Sequence, residues 1–127
     1  MIRLANYASA GRYPRPYVAI SSGIPVGFSI DDRCWPLVPP WKEVERLKKH
    51  SIPWETFADR YWDQLSDLWE NRREVFGELD IRGGSTLLCW ERAGVRCHRR
   101  VLACFLLKVG FEVQLDGQSL PADWEDF

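Results

Sequence analysis

The chain has 127 residues and is 46% hydrophobic, the size and apolar content of one domain with a core of its own. Seventeen basic residues against eighteen acidic ones leave a formal net charge of −1, which excludes a global field drawing the protein onto nucleic acid or anionic lipid. The longest apolar run, residues 101–107, falls far short of the about 20 residues that span a bilayer, and the N-terminus does not read as a secretory signal, so a cytoplasmic, reducing setting is expected, with Cys34, Cys89, Cys97 and Cys104 as thiols.

Residues 1–7 read as a first strand and residues 17–21 as a second, β-branched and aromatic, bounded upstream by Pro14 and Pro16. Residues 8–15 form the loop between them. Residues 22–40 carry Gly23, Pro25, Gly27, Pro36, Pro39 and Pro40, and no period survives that punctuation. Apolar members such as Ile24, Phe28 and Leu37 make this an ordered loop expected to lie across the site. Residues 41–50 read as a short helix. Ser51 is then expected to cap a long helix with Pro53 in its first turn. Trp54, Phe57, Ala58, Tyr61, Trp62, Leu65, Leu68 and Trp69 recur at helical spacing, with Glu55, Asp59 and Asp63 between them. Residues 71–79 extend this helix or add a short turn, and residues 80–84 are a turn.

Residues 85–90 lack polar alternation and read as a central parallel strand buried on both faces. Residues 92–96 connect it to an apolar helix opened by Cys97 or His98 and ended by Gly110 at the C′ position. Residues 111–115 alternate as an edge or late strand, and the acidic tail, 116–127, is expected to fray. Strand, helix and strand over 85–115 make a βαβ unit. The expected fold is a single α/β domain over 1–127: a small, open, mostly parallel three-layer sheet, Rossmann-like, with flanking helices.

Ligands of open parallel sheets collect beyond the C-terminal ends of the strands. Cys89 and Glu91 stand at such an end, and Cys97, His98, Arg99 and Arg100 stand at the start of the next helix, so the βαβ geometry brings both groups to one rim. A helix start suits an anion and lowers the pKa of a thiol such as Cys97. Arg99 and Arg100 oppose the helix dipole there, which an anionic ligand or Glu91 would explain. Three chemistries are open. Glu91 and His98 are an acid/base pair beside a Cys97 or Cys89 nucleophile. Alternatively Cys89, Cys97 and His98, with Glu91, bind zinc or iron, although Cys-x7-Cys-His matches no standard zinc module and adjacent helical residues point about 100° apart. In the third, an anion is bound without chemistry. Against all three stands a structural latch in which Glu91 pairs with Arg99 or Arg100 and the cysteines are core residues. Cys34 and Cys104 are read as core cysteines. Of the seven tryptophans, most are read as core or a homodimer seam; Trp90, inside the motif, is read as ligand wall.

Leu87-Leu88-Cys89-Trp90-Glu91, a short gap, and Cys97-His98-Arg99-Arg100 before an apolar helix resemble the bacterial and phage family known as domain of unknown function 488. Its hallmark is a strand ending in Cys-x-Glu followed by Cys-His-Arg at a helix start. The stretch from Ile20 to Phe28, with Leu37-Val38-Pro39-Pro40-Trp41, is similar to a branch with a Pro-Gly-aromatic loop before its first helix, and Phe57 and Tyr61 match its long helix. The resemblance is specific over 85–107 and loose over 1–115. Asn6-Tyr7-Ala8-Ser9 stands where many relatives carry a Thr-x-Gly turn. The resemblance implies an α/β fold and a shared pocket, and names no reaction.

The expectation is an enzyme acting on a nucleotide-like or other anionic small molecule. Glu91 and His98 handle protons, and Cys89 or Cys97 serves as nucleophile or ligand. Arg99 and Arg100 hold the anion; Ser21, Arg33, Tyr61 and Trp90 form the wall. No cofactor is required. A non-catalytic sequestering module is the first alternative, and a metal-binding or protein-interaction domain the second.

Overall fold

The computed structural model describes residues 1–80 and 84–127; the turn expected over 80–84 lies largely outside the described residues. Among the described residues, six strands form one sheet: β1 (Ile2–Asn6), β2 (Tyr17–Ala19), β3 (Asp32–Arg33), β4 (Thr86–Cys89), β5 (Val113–Leu115) and β6 (Gln118–Ser119). Their order is β3-β2-β4-β1-β5-β6. Every pairing is parallel except β5 with β6. The helices are α1 (Trp41–Lys48), α2 (Trp54–Asn71), α3 (Glu74–Leu79) and α4 (His98–Lys108). This is the small, mostly parallel α/β sheet with flanking helices that the sequence predicts. No helix of the described residues is long and apolar enough to cross a membrane.

Side-chain alternation decides what covers each face. Ile2, Leu4, Val18, Ile20, Leu87 and Cys89 point to one side, where they join Tyr61, Leu65 and Leu68 of α2, Phe76 of α3 and Val101, Leu102 and Leu106 of α4 in the main core. Ala5, Ala19 and Leu88 point to the other side. The two alanines leave room there for rings, and Tyr7, Tyr17 and Phe28 fill it, with Tyr7 and Phe28 centroids 5.1 Å apart. That second face is covered by a 3-10 turn (Tyr7–Arg12) and the loop after β2, so its outer layer is not built from α-helices. The stretch 8–15, expected as loop, is therefore partly helical.

Four other expectations change. The segment 22–40 is not all loop: Asp32–Arg33 adds a parallel edge strand to β2, and Trp35–Leu37 forms a 3-10 turn. Asp31 makes this pairing possible, its carboxylate accepting from the Tyr17 N–H at 2.7 Å and from Arg15 at 2.9 Å. Ser51 does not cap α2. Its N–H closes the end of α1 on the Arg46 carbonyl (2.8 Å), and extended Pro53 occupies the cap position. Residues 74–79 make a separate helix, because Arg72 leaves helical geometry at the end of α2.

The tail is also docked. Asp116 and Gly117, both at positive φ, form a two-residue turn that folds β6 onto β5. Trp124 and Phe127 then pack on the main core, and Trp54 Nε1 donates to the Phe127 carbonyl at 3.1 Å. Hydrocarbon on the tail outweighs its acidic charge. Helix α4 ends as expected: Gly110 at φ +102 lets its own N–H and that of Phe111 return to the Leu107 and Leu106 carbonyls.

Candidate functional site

Strands β2 and β4 are parallel neighbours, so the chain leaving each emerges at the same edge. Residues Ser21, Ser22 and Gly23 follow β2, and Trp90 and Glu91 follow β4. The first residue of α4, His98, meets them there. Together with Pro39, Val44 and Lys48 they enclose a cavity of about 250 Å³. A larger groove of about 510 Å³ lies along α1 and α2 between Pro39 and Gln64, but it holds no thiol or imidazole, and its Glu43 and Arg60 already pair at 2.8 Å.

The cavity walls are held by backbone carbonyls. Trp90 is half exposed, yet its indole N–H donates to the Gly23 carbonyl at 2.8 Å and its ring meets Tyr7 edge-on at 5.6 Å. Ser21 Oγ donates to the same carbonyl at 2.7 Å and takes the Tyr7 hydroxyl at 2.5 Å. The buried His98 ring lies 2.7 Å, through Nε2, from the Ile20 carbonyl. A carbonyl only accepts, so Nε2 carries the hydrogen and Nδ1 the lone pair. Burial pushes the His98 pKa down to about 4, against the pull of that carbonyl, so the ring is neutral at pH 7. Tyr61 stands edge-on behind it at 5.5 Å and donates to the Leu37 carbonyl at 2.6 Å. Tyr61 supports the imidazole from the core side.

Behind Glu91 lies a thiol pair. Cys89 Sγ and Cys97 Sγ are 3.6 Å apart, both buried. Arg99, fully buried, donates through Nη1 to Cys89 Sγ and to the Glu91 backbone carbonyl, each at 2.7 Å. Its Nη2 donates to the Arg92 carbonyl at 3.0 Å, and its Nε lies 3.3 Å from the Asp116 carboxylate. Burial alone would lower the Arg99 pKa; the two sulfurs and Asp116 outweigh it and raise it. The two thiols share a hydrogen bond, and it shifts them in opposite directions. Cys89 is held well above the ordinary thiol range, by its hydrogen bond to Cys97 and then by burial. Cys97 is held below it, by the same hydrogen bond first, with burial opposing and Arg99 assisting.

Several residues expected at the site stand elsewhere. Arg99 is a latch joining the β4 exit to the β5–β6 turn, and it bonds the Glu91 carbonyl instead of its carboxylate. Arg100 turns to the tail, bonding the Asp126 carbonyl and lying 5.4 Å over the Trp124 ring. These partners explain two arginines at a helix start without an anionic ligand. Arg33 lies 4.5 Å over Trp35 and lines a different groove with Arg72 and Glu78. Sequence reasoning missed Lys48, the one lysine or arginine of the cavity wall among the described residues, because nothing local ties the end of α1 to β4. It also missed Asp116, although Asp116-Gly117 between Val113-Gln114-Leu115 and Gln118 is a strong hairpin signal.

A metal, if held, would meet Cys89, Glu91 and Cys97, whose donor atoms lie within 4.8 Å of one another. The expected set with His98 is not assembled: among the described residues the donor cluster takes in Cys89, Glu91 and Cys97 without His98. The sulfur spacing is near the roughly 3.8 Å that two 2.3 Å zinc–sulfur bonds span at a tetrahedral angle. The guanidinium of Arg99, however, already places a positive charge 2.7 Å from Cys89 Sγ, against a second cation there.

The family described as Domain of unknown function DUF488 matches residues 33–106, more than half of the chain. The match takes in α1, α2, α3, most of α4, the Cys89–Glu91 tip and Cys97-His98-Arg99. It does not reach β1, β2 or Ser21. No curated protein and no solved structure matches the chain. The chain belongs to the DUF488 family.

Proposed function

From that membership and this geometry, we propose that the protein is an enzyme acting on a nucleotide-like or other anionic small molecule in the cavity between the β2 and β4 exits. The observation that carries the reading is the cavity itself: one carboxylate (Glu91), one lysine (Lys48) and one aromatic wall (Trp90) around about 250 Å³ at the C-terminal edge of parallel strands, as ligands sit in Rossmann-like sheets. Glu91, without an ion pair among the described residues, handles the proton. Neutral His98 is a hydrogen-bond acceptor that orients the substrate, Trp90 stacks on its ring, and Lys48 takes its anionic group. Cys97 stands behind Glu91 as the nucleophile candidate.

A thermal-shift screen of nucleotides and sugar phosphates tests it. A ligand at a hundred times its Kd adds about 2.7 kcal/mol, several degrees in Tm for a domain of this size. Glu91→Gln should keep that shift and abolish turnover. Lys48→Met should weaken anionic ligands at least about tenfold. If no anionic small molecule shifts Tm at millimolar concentration, the reading fails. A sequestering module is the second reading, favoured by the fact that His98, neutral and fixed, leaves a single proton-handling group facing the cavity. It requires tight binding without turnover in the unaltered chain.

A further inference from the structure

We propose that Cys89 and Cys97 form an oxidation site for small hydroperoxides, which convert the pair to an intramolecular disulfide linking the tip of β4 to the start of α4. The inference goes beyond the ligand reading above and does not depend on Glu91 doing chemistry.

Geometry carries it. The sulfurs are already in van der Waals contact at 3.6 Å. Bond formation needs a closure of about 1.5 Å, to roughly 2.05 Å. The chain between them, residues 90–96, is bend and turn rather than helix or strand, and most of it is exposed. It can take up that movement without unwinding a regular element. Arg99 sits against Cys89 Sγ at 2.7 Å and keeps a fixed positive charge beside the sulfur pair. Access comes from the cavity side: Glu91 lines the cavity and its carboxylate lies within 4.8 Å of both sulfurs. A hydroperoxide little larger than water is the oxidant that fits such an approach. The other two cysteines have no such arrangement. Cys104 Sγ faces the Trp124 carbonyl at 3.5 Å, and burial pushes the Cys34 thiol up to about 11. Cys97 is the attacking sulfur: it stands at the N-terminal end of α4 and keeps 4% exposure, whereas Cys89 is fully buried.

The steps balance. Cys97 thiolate attacks one oxygen of the peroxide; an S–O bond forms, the O–O bond breaks, and hydroxide leaves to become water. Cys89 sulfur then attacks the Cys97 sulfenic sulfur. An S–S bond forms, the S–O bond breaks, and the departing hydroxide takes the Cys89 proton as a second water. Two thiols lose two electrons and one peroxide gains them.

The test uses the full chain, reduced, freed of reductant, treated with a small excess of hydrogen peroxide, then denatured in urea and alkylated. Intact mass should show two alkyl groups where the untreated chain, with its four free cysteines, shows four. A tryptic map should show Cys89 crosslinked to Cys97, reversed by dithiothreitol, since cleavage after Arg92 and Arg96 separates the two. Cys89→Ser should stop at a Cys97 sulfenic acid that dimedone captures. Glu91→Gln, expected above to abolish turnover, should still form the crosslink, and the ligand reading fails on the Tm screen alone, so the two failures are distinguishable. Four alkyl groups after peroxide, a crosslink through Cys34 or Cys104, or bonds only between chains would overturn the proposal. So would a bound zinc ion that protects both thiols until it is chelated.

Discussion

Replacing Arg99 by methionine separates a latch from a ligand-binding arginine. The guanidinium is fully buried and joins three segments: Cys89 at the end of β4, the Glu91 and Arg92 carbonyls, and Asp116 in the β5–β6 turn. Methionine keeps most of the hydrocarbon volume and removes every one of these bonds. The two carbonyls belong to a half-exposed loop that water can reach, so they add little. Asp116, largely buried, is left without its counter-charge. Breaking a buried pair by removing one partner costs about 3–5 kcal/mol. Water access to Asp116 puts the expected loss near the lower figure, about 3 kcal/mol, out of a total stability of roughly 5–15 kcal/mol. In urea denaturation this should appear as a lower midpoint with an unchanged slope, and in calorimetry as a fall of roughly 10 °C in Tm. Arg100→Met is the control, since its ionic partner is the exposed Asp126 and methionine still packs on Trp124; it should cost less than about 1 kcal/mol. A loss below about 1 kcal/mol for Arg99→Met, equal to that of Arg100→Met, would refute the latch and return Arg99 to the list of ligand contacts.

Other outcomes follow from the same contacts. With His98 held down at about 4, the unfolded chain binds a proton that the folded chain refuses between pH 6.5 and 4. The contribution of neutral His98 to stability is therefore complete above pH 6.5 and is lost as pH falls toward 4, at up to about 1.4 kcal/mol per pH unit. Urea midpoints of the unaltered chain and His98→Asn between pH 7 and 4.5 should differ by this slope; an NMR titration of His98 near pH 6.5 would contradict it. Removal of residues 122–127 should destabilise the domain by about 2 kcal/mol in the same assay, because it strips Trp124 and Phe127 from the core. Gly84→Ala should cost more than about 2 kcal/mol, as the glycine is at φ +97 and a Cβ there would lie 1.6 Å from the Met1 carbonyl oxygen, whereas Gly11→Ala, with open space around it, should be close to neutral.

By itself the sequence determined the four main strands, the long α2, the helix α4 and the rim that β4 and α4 share. An apolar run of strand length, a short punctuated gap and an apolar helix ended by glycine place Cys89, Glu91, Cys97 and His98 together, because a parallel strand and its crossover helix meet at one edge. The helical period from Trp54 to Trp69 likewise identifies the face of α2 that meets the core. Only the tertiary structure decided the partners of each side chain at that rim. His98 answers to Ile20, 78 residues away, and Lys48 reaches the cavity from α1. Arg99 answers to Asp116 across a hairpin turn, and the acidic tail returns to cover α4. Periodicity along the chain says which way a side chain faces. Which charge or carbonyl waits there depends on strand order and on how distant segments pack, and burial then sets whether a histidine is a proton carrier or a neutral acceptor.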